Sequence, residues 1–269
     1  MIDHAGRRRF LASLTCGSFL GIALYELIER VQQPRRRLDP PDTSLLDVMI
    51  RGRLRVGIDP SYPPFEFITA ENTFAGFDID LAASLSEHIG VTSETVLIGL
   101  DGLYDALRVR KIDAAISSIV PGPKAGKDVV FSQPYFNAGL VYCVAATDPT
   151  RNPQNRPGAT IAVELGSEGE EFLKRRGTPG QRIMRVEDVK DALESLAAGK
   201  VQGVLTDVPT AALLRHQISG FVVLDPPVTQ KPYAIALRAT DHALLLIVNQ
   251  QLQTLKQQGE LRHITDTWL

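Results

Sequence analysis

Residues able to grip a small polar molecule stand at the ends of apolar runs. Asp59 and Tyr62 lie in IDPSYPPFEF, Ser117 and Ser118 in DAAISSIV, Ser167 in ELGSEGEE and Asp207 in VLTDVPTA. A carboxylate neutralises a cationic nitrogen, and a phenol ring stacks on planar groups and attracts cations. A serine hydroxyl both donates and accepts, and at a helix start it adds to free N–H groups that favour an anion. Each residue also has a plainer reading. Tyr62 reads as a surface aromatic on a Pro-rich turn, Asp59 as the cap of that turn, and Asp207 as the N-cap of a helix over PTAALLRHQ. A cap and a ligand contact are compatible. Glu164 and Glu168 read as solvent-facing residues at a helix start.

Catalytic and metal arrangements are missing from the pattern. ELGSEG lacks the G-x-S-x-G elbow, and Cys16 and Cys143 have no histidine partner nearby in sequence. His4, His88, His216, His242 and His263 show no ligand spacing, so neither a metal nor another cofactor is expected. GPKAGKD, residues 122–128, is reminiscent of a phosphate-binding loop. Its first glycine is one residue too close, Asp128 replaces the hydroxyl a magnesium ion needs, and Pro121 and Pro123 remove amides.

The elements that carry these residues alternate. RLRVGI is a strand ending at DPSYPP; GFDIDLAASLSEHIG has Ile79, Ala82, Leu85 and Ile89 at helical spacing with Gly90 as a stop. TVLIGL, a helix in GLYDALRVRK and IDAAISSI continue the rhythm of a parallel α/β unit. TIAVEL, SEGEEFLKRR, QRIMRV, DVKDALESLAAGK and VQGVLTD repeat it, and LVYCVAA is a buried strand that makes Cys143 a core residue. HALLLIVNQQLQTLKQQG is an amphipathic helix stopping at Gly259. The expectation is α/β with two lobes, whose strand ends face each other across a cleft.

The 269 residues suffice for two such lobes, with 44% apolar and 22% charged residues and a net charge of −2. That balance offers no basic face for nucleic acid. At the N-terminus, GRRRFLASLTCGSFLGIALYE places three arginines before an uncharged run from Phe10 to Tyr25, the layout of an export signal. Its RRRFL resembles a twin-arginine signal. Sixteen residues reach only about 24 Å as a helix against about 30 Å of hydrocarbon, so residues 1–29 read as an export signal, with an N-terminal membrane anchor as the alternative. Residues 30–52 read as a Pro/Arg-rich linker, through about 46, and the start of the fold.

LRVGIDPSYPPFEF, GFDIDLAASLSEHIG, LRVRKIDAAISS, VVFSQPYF, IAVELGSEGEEFLK, VQGVLTDVPTAALL and VNQQLQTLKQQGELRHITDTWL together resemble the bacterial extracytoplasmic solute-binding proteins of family 3, the amino-acid-binding group of ABC importers. The resemblance runs from about residue 53 to 269. It implies a type II periplasmic-binding-protein fold with hinged lobes around a central ligand cleft: lobe 1 from 53–138 and 231–269, lobe 2 from 139–230. It also implies ligand contacts from Asp59, Tyr62, Leu100, Ser117 and Ser118 in lobe 1 and from Ser167 and Asp207 in lobe 2. Ser167 would meet a carboxylate and Asp207 an α-ammonium. The family's run before F-S-x-P-Y carries an arginine for the ligand carboxylate, and here that position is Ala125, with Gly122 and Val120 where hydroxyl residues are usual. Losing a bidentate charge pair costs several kcal/mol; Lys124, or Lys127, is the candidate replacement, as a point charge, while the plainer reading makes both solvated loop lysines.

The resulting expectation is an exported, monomeric receptor that binds an amino acid or an amino-acid-like ligand such as an opine, an amine or a modified amino acid. It would work with permease subunits and touch the membrane only through its N-terminal segment, in the periplasm. Two alternatives stay open. One is a cyclohexadienyl dehydratase-like enzyme on the same scaffold, with Asp59, Glu66 or Glu164 as general acid. The other is a tethered sensory domain.

Overall fold

A computed structural model describes residues 41–147 and 152–269. The export or anchor segment and most of the linker lie outside the described residues, and no described helix is long and apolar enough to cross a membrane. The first helix, α1 (Ser44–Arg51), begins inside the stretch read as linker, with Val48 buried in the core and Gly52 closing it in the left-handed conformation. Eight residues behind a proline-rich run gave too short a periodicity to be seen.

The chain continues through β1 (Arg53–Ile58), a small antiparallel sheet of β2 (Ser61–Tyr62), β3 (Glu66–Ile68) and β4 (Phe74–Ala75), then α2 (Phe77–Ile89), β5 (Thr92–Leu97), α3 (Leu103–Arg108), β6 (Ala114–Ala115) and β7 (Val129–Phe131). It crosses through β8 (Phe136–Asn137) into β9 (Leu140–Ala145), β10 (Thr160–Glu164), α4 (Glu168–Arg176), β11 (Arg182–Val186), α5 (Val189–Ala197), β12 (Gly203–Asp207), α6 (Val208–Arg215) and β13 (Phe221–Val223). It returns through β14 (Pro232–Tyr233) to β15 (Ala236–Arg238), α7 (His242–Gln258) and α8 (Glu260–Trp268).

Two sheets of five strands result, ordered β5-β1-β6-β15-β7 and β11-β10-β12-β9-β13. In each, three strands are parallel, and the strand arriving from the other lobe inserts antiparallel in fourth place. The repeat seen in the sequence is thus a repeat of topology. β6 is shorter than the apolar run IDAAISSI: it ends at Ala115, and Ser118 beyond it has φ 48.

Alternation on β1 puts Leu54, Val56 and Ile58 in the core. Gly57 keeps that strand close to its cover: a Cβ there would lie 2.5 Å from the Ile112 side chain. On α7, Leu244, Val248, Leu252 and Leu255 form the buried stripe, and Trp268 of α8 donates from Nε1 to Asp80 of α2 at 2.6 Å. Cys143 is wholly buried on β9, and burial pushes its thiol up to about 12.

At the end of the first sheet away from the cleft, buried Asp113 accepts from the Arg55 amide at 2.9 Å and from its guanidinium at 2.9 and 3.1 Å. Arg51 of α1 also donates to it, and Arg238 of β15 lies 3.9 Å away.

The crossing strands β8 and β14 pair antiparallel. Phe136 and Tyr233 on them pack with Phe65, at ring centroid distances of 5.2 and 5.4 Å. The Asn137 side chain accepts from the amides of Gly139 (3.1 Å) and Lys231 (2.8 Å), stapling both crossings. Gly139 passes so near the returning chain that a Cβ would sit 1.9 Å from the Thr229 carbonyl oxygen.

Candidate ligand-binding site

The carboxyl ends of β1 and β6 and the turn after β5 open into a cavity of about 330 Å³. Asp59, Tyr62, Leu100, Ser117 and Ser118 line it, all residues singled out in the sequence. Five more complete the lining: Ser61, Glu66, Val120, Lys231 and Tyr233.

Local bonds fix each group. Asp59 follows β1; its amide donates to Ser117 Oγ at 3.0 Å, and its Oδ2 accepts from the Leu100 amide at 2.7 Å. The bond ties the end of β1 to the 3-10 turn Leu100–Gly102 and sets Leu100, 55% exposed, at the cavity edge. Tyr62 is backed by the buried ring of Phe65, stacked at 5.6 Å and 13° between planes, with the phenol 3.5 Å from that of Tyr233. Its ring is a braced platform rather than a loose surface aromatic.

Beneath the serines lies a pair of buried acids. Ser117 Oγ donates to Glu66 Oε1 at 2.9 Å, and the Ser118 amide donates to Asp78 Oδ2 at 2.7 Å. The latter bond holds Ser118 in a backbone region that side chains rarely adopt, and such strain gathers at functional sites. Burial, followed by the charge of Asp78, pushes Glu66 up to about 10; burial pushes Asp78 up to about 6, opposed by the hydrogen bond from Glu66. Both carboxyls are thus raised, and the pair holds a proton more readily than two ordinary carboxylates do. Tyr135, buried beside them, is raised well above its ordinary value, first by burial and then by the Asp78 and Glu66 charges.

A pH test follows. The Glu66 carboxyl is raised from 4.5 to about 10, so its contribution to stability is complete below about pH 4.5 and is lost as pH rises through about 10. Gln keeps an oxygen that accepts from Ser117 as Glu66 does, but does not titrate. The melting temperature of Glu66→Gln is expected to exceed that of the parent by a margin growing from pH 5 to pH 9; parallel curves would mean that Glu66 is not held neutral.

Ser167 and Asp207 do not line this cavity. Both sit at the carboxyl ends of second-sheet strands as helix N-caps: Ser167 Oγ accepts from the Glu170 amide at 3.2 Å, and Asp207 Oδ1 accepts from Thr210 at 2.7 Å. Both belong to the second lobe. Glu168, beside Ser167, lies 3.7 Å from Lys231, and the Asp207 charge is among the causes raising the Tyr233 phenol, after burial and Tyr62. Tyr233 and Lys231, on the return crossing, thus stand between the two sets.

Lys124 lies elsewhere, on a neighbouring cavity. Ala125, where the family pattern carries arginine, is buried. Arg108 braces that loop from behind, donating to the Ala125 carbonyl at 2.9 Å and pairing with Asp105 at 2.6 Å. Among the described residues no cluster of His, Cys, Asp or Glu could hold a metal ion.

Solved structures share this fold. An ancestral cyclohexadienyl dehydratase superposes with a TM-score of 0.74 at 29% identity, over 83% of this chain and 95% of that one. An ancestral cationic amino acid solute binding protein does so at 0.63 and 34%, over 84% and 99%. The fold is that of the type II periplasmic binding proteins. Residues 54–269 match the model of the bacterial extracellular solute-binding proteins, family 3, and the chain belongs to that family. The L-arginine-binding protein of Pseudomonas aeruginosa is 28% identical over 225 residues, covering 80% of this chain and 87% of the relative. The L-cystine-binding protein TcyJ of Escherichia coli is 26% identical over 231 residues, covering 84% and 86%.

Proposed function

We propose that this protein is the extracytoplasmic receptor of an ABC importer and that it closes its lobes on an amino acid or amino-acid-like compound with a cationic group. The observation that carries the reading is the convergence of Asp59, Tyr62, Ser117 and Ser118 on one cavity. Its volume lies in the range of small-molecule sites. Asp59 and, on closure, Asp207 favour a cation, and the braced face of Tyr62 adds to that preference. The N-terminus of α4 at Ser167 suits the ligand's anionic end. The names of the relatives, arginine and cystine receptors among them, agree with this class of ligand. The chain acts as a monomer, exported by its N-terminal segment, and hands the ligand to permease subunits.

Calorimetry of the purified full chain against arginine, lysine, ornithine, cystine and glutamine tests the reading. Micromolar or tighter binding of a cationic amino acid is expected. If none of these, nor any extended derivative of them, bound to folded protein, the reading would fail.

A dehydratase reading draws on one observation: Glu66 is a protonated acid at the cavity wall. An efficient general acid has a pKa near the working pH, whereas Glu66 holds its proton to about 10 and sits under two serines. It serves here to hold the serines rather than to deliver a proton.

A further inference from the structure

A second cavity, of about 620 Å³, adjoins the first, and Leu100, Ser118 and Val120 line both. Its floor is apolar, made by Leu103 and Ile119, both buried, and Tyr104 on α3; Pro121 and Pro123 form the facing wall. Leu100 and Val120 stand at the junction with 55% and 42% of their surface exposed. Large apolar side chains exposed inside a concave site mark a place that a ligand covers. The wall does not depend on a slack loop, since Arg108 holds it through the Ala125 carbonyl and the two prolines restrict it. Lys124 and Asp101, both exposed, add polar groups to the lining.

We propose that this annex receives the far part of the same ligand, so that the receptor selects amino-acid-like cations extended by an apolar group. The inference rests on the receptor reading above. The head of the ligand lies among Asp59, Tyr62 and Ser118; the extension passes Leu100 and Val120 onto the floor of Leu103, Tyr104 and Ile119. A free amino acid fills only the first cavity and leaves the apolar annex wet.

Three probes of one head group and growing length test this by calorimetry on the full chain: L-arginine, L-arginyl-L-phenylalanine and L-arginine β-naphthylamide. At least one extended probe is expected to bind tenfold or more tighter than L-arginine. Gly122→Trp then serves as a block. Gly122 has an ordinary extended backbone, and a Cβ there meets nothing nearer than the Val120 carbonyl oxygen at 3.9 Å, so an indole can enter the annex. The preference for the extended probe should fall to within about twofold in this variant. If L-arginine binds and neither extended probe binds tighter, the annex proposal is overturned while the receptor reading stands. A preference that survives the indole unchanged overturns it as well, by placing the extension elsewhere. Should none of the three bind, the annex proposal is overturned, and the receptor reading is decided separately by the lysine, ornithine, cystine and glutamine titrations. The comparison of ligands on the parent protein decides the matter even if the variant does not fold.

Discussion

Asp207→Asn is expected to weaken binding of a cationic amino acid by about 30-fold or more while leaving the melting temperature within about 2 °C of the parent. The two effects separate because Asp207 has two tasks. Its Oδ1 accepts from the Thr210 amide at 2.7 Å as the N-cap of α6, and Asn caps as well as Asp does. What Asn lacks is the charge. Truncating one partner of a desolvated charge pair costs at least ~2 kcal/mol, which is about 30-fold in affinity. Calorimetry together with thermal unfolding reads both quantities on one sample. Unchanged affinity would remove Asp207 from the site and leave it only a cap; a fall in both would show that the variant has disturbed the lobe.

The other large effect concerns stability. Asp113→Ala should destabilise the protein by about 3 kcal/mol, the low end of the cost of breaking a buried ion pair. The low end is chosen because Arg51 and Arg55 keep about a quarter of their side-chain surface in water and can be rehydrated. The loss comes from the Arg55 amide, deprived of its acceptor, and from the end of α1, β1 and the entry to β6 losing their common anchor. At about 2–4 °C per kcal/mol for a domain of this size, the midpoint should fall by about 6–12 °C. Glu171→Ala is the control: its pair with Arg175 is exposed and one helical turn apart, worth about 0.3–0.5 kcal/mol. Equal shifts for the two variants would mean that Asp113 anchors nothing.

Much of the fold was legible because it is locally coded. The period of α2, the alternation of β1 and the continuous apolar run of β9 each state their element within a few residues. The strand-end residues were legible for the same reason: an open α/β sheet puts whatever follows its parallel strands at the binding edge. Residues whose role is set at long range were harder to read. Glu66 reads in sequence as one acid in an aromatic turn; only Asp78, Ser117 and Ser118, brought beneath the cavity by other elements, make it a buried proton carrier. Lys231 and Tyr233 belong to a crossing strand whose partner is β8, and nothing in TQKPYAI announces that pairing. Lys124 was chosen by nearness in sequence to Ala125, yet it lines the annex instead of the first cavity.

The crossing strands restrict how the molecule can bend. On the first-lobe side, Phe136 and Tyr233 are set into an aromatic cluster with Phe65 and Phe77, so that length of chain travels with the lobe it touches. Torsion must therefore be taken up beyond the Asn137 staple, where Gly139 runs against Thr229 and Leu140 donates to its hydroxyl at 2.8 Å. The pivot is therefore expected off-centre, so that on closure the second lobe would swing like a gate on a post planted in the first.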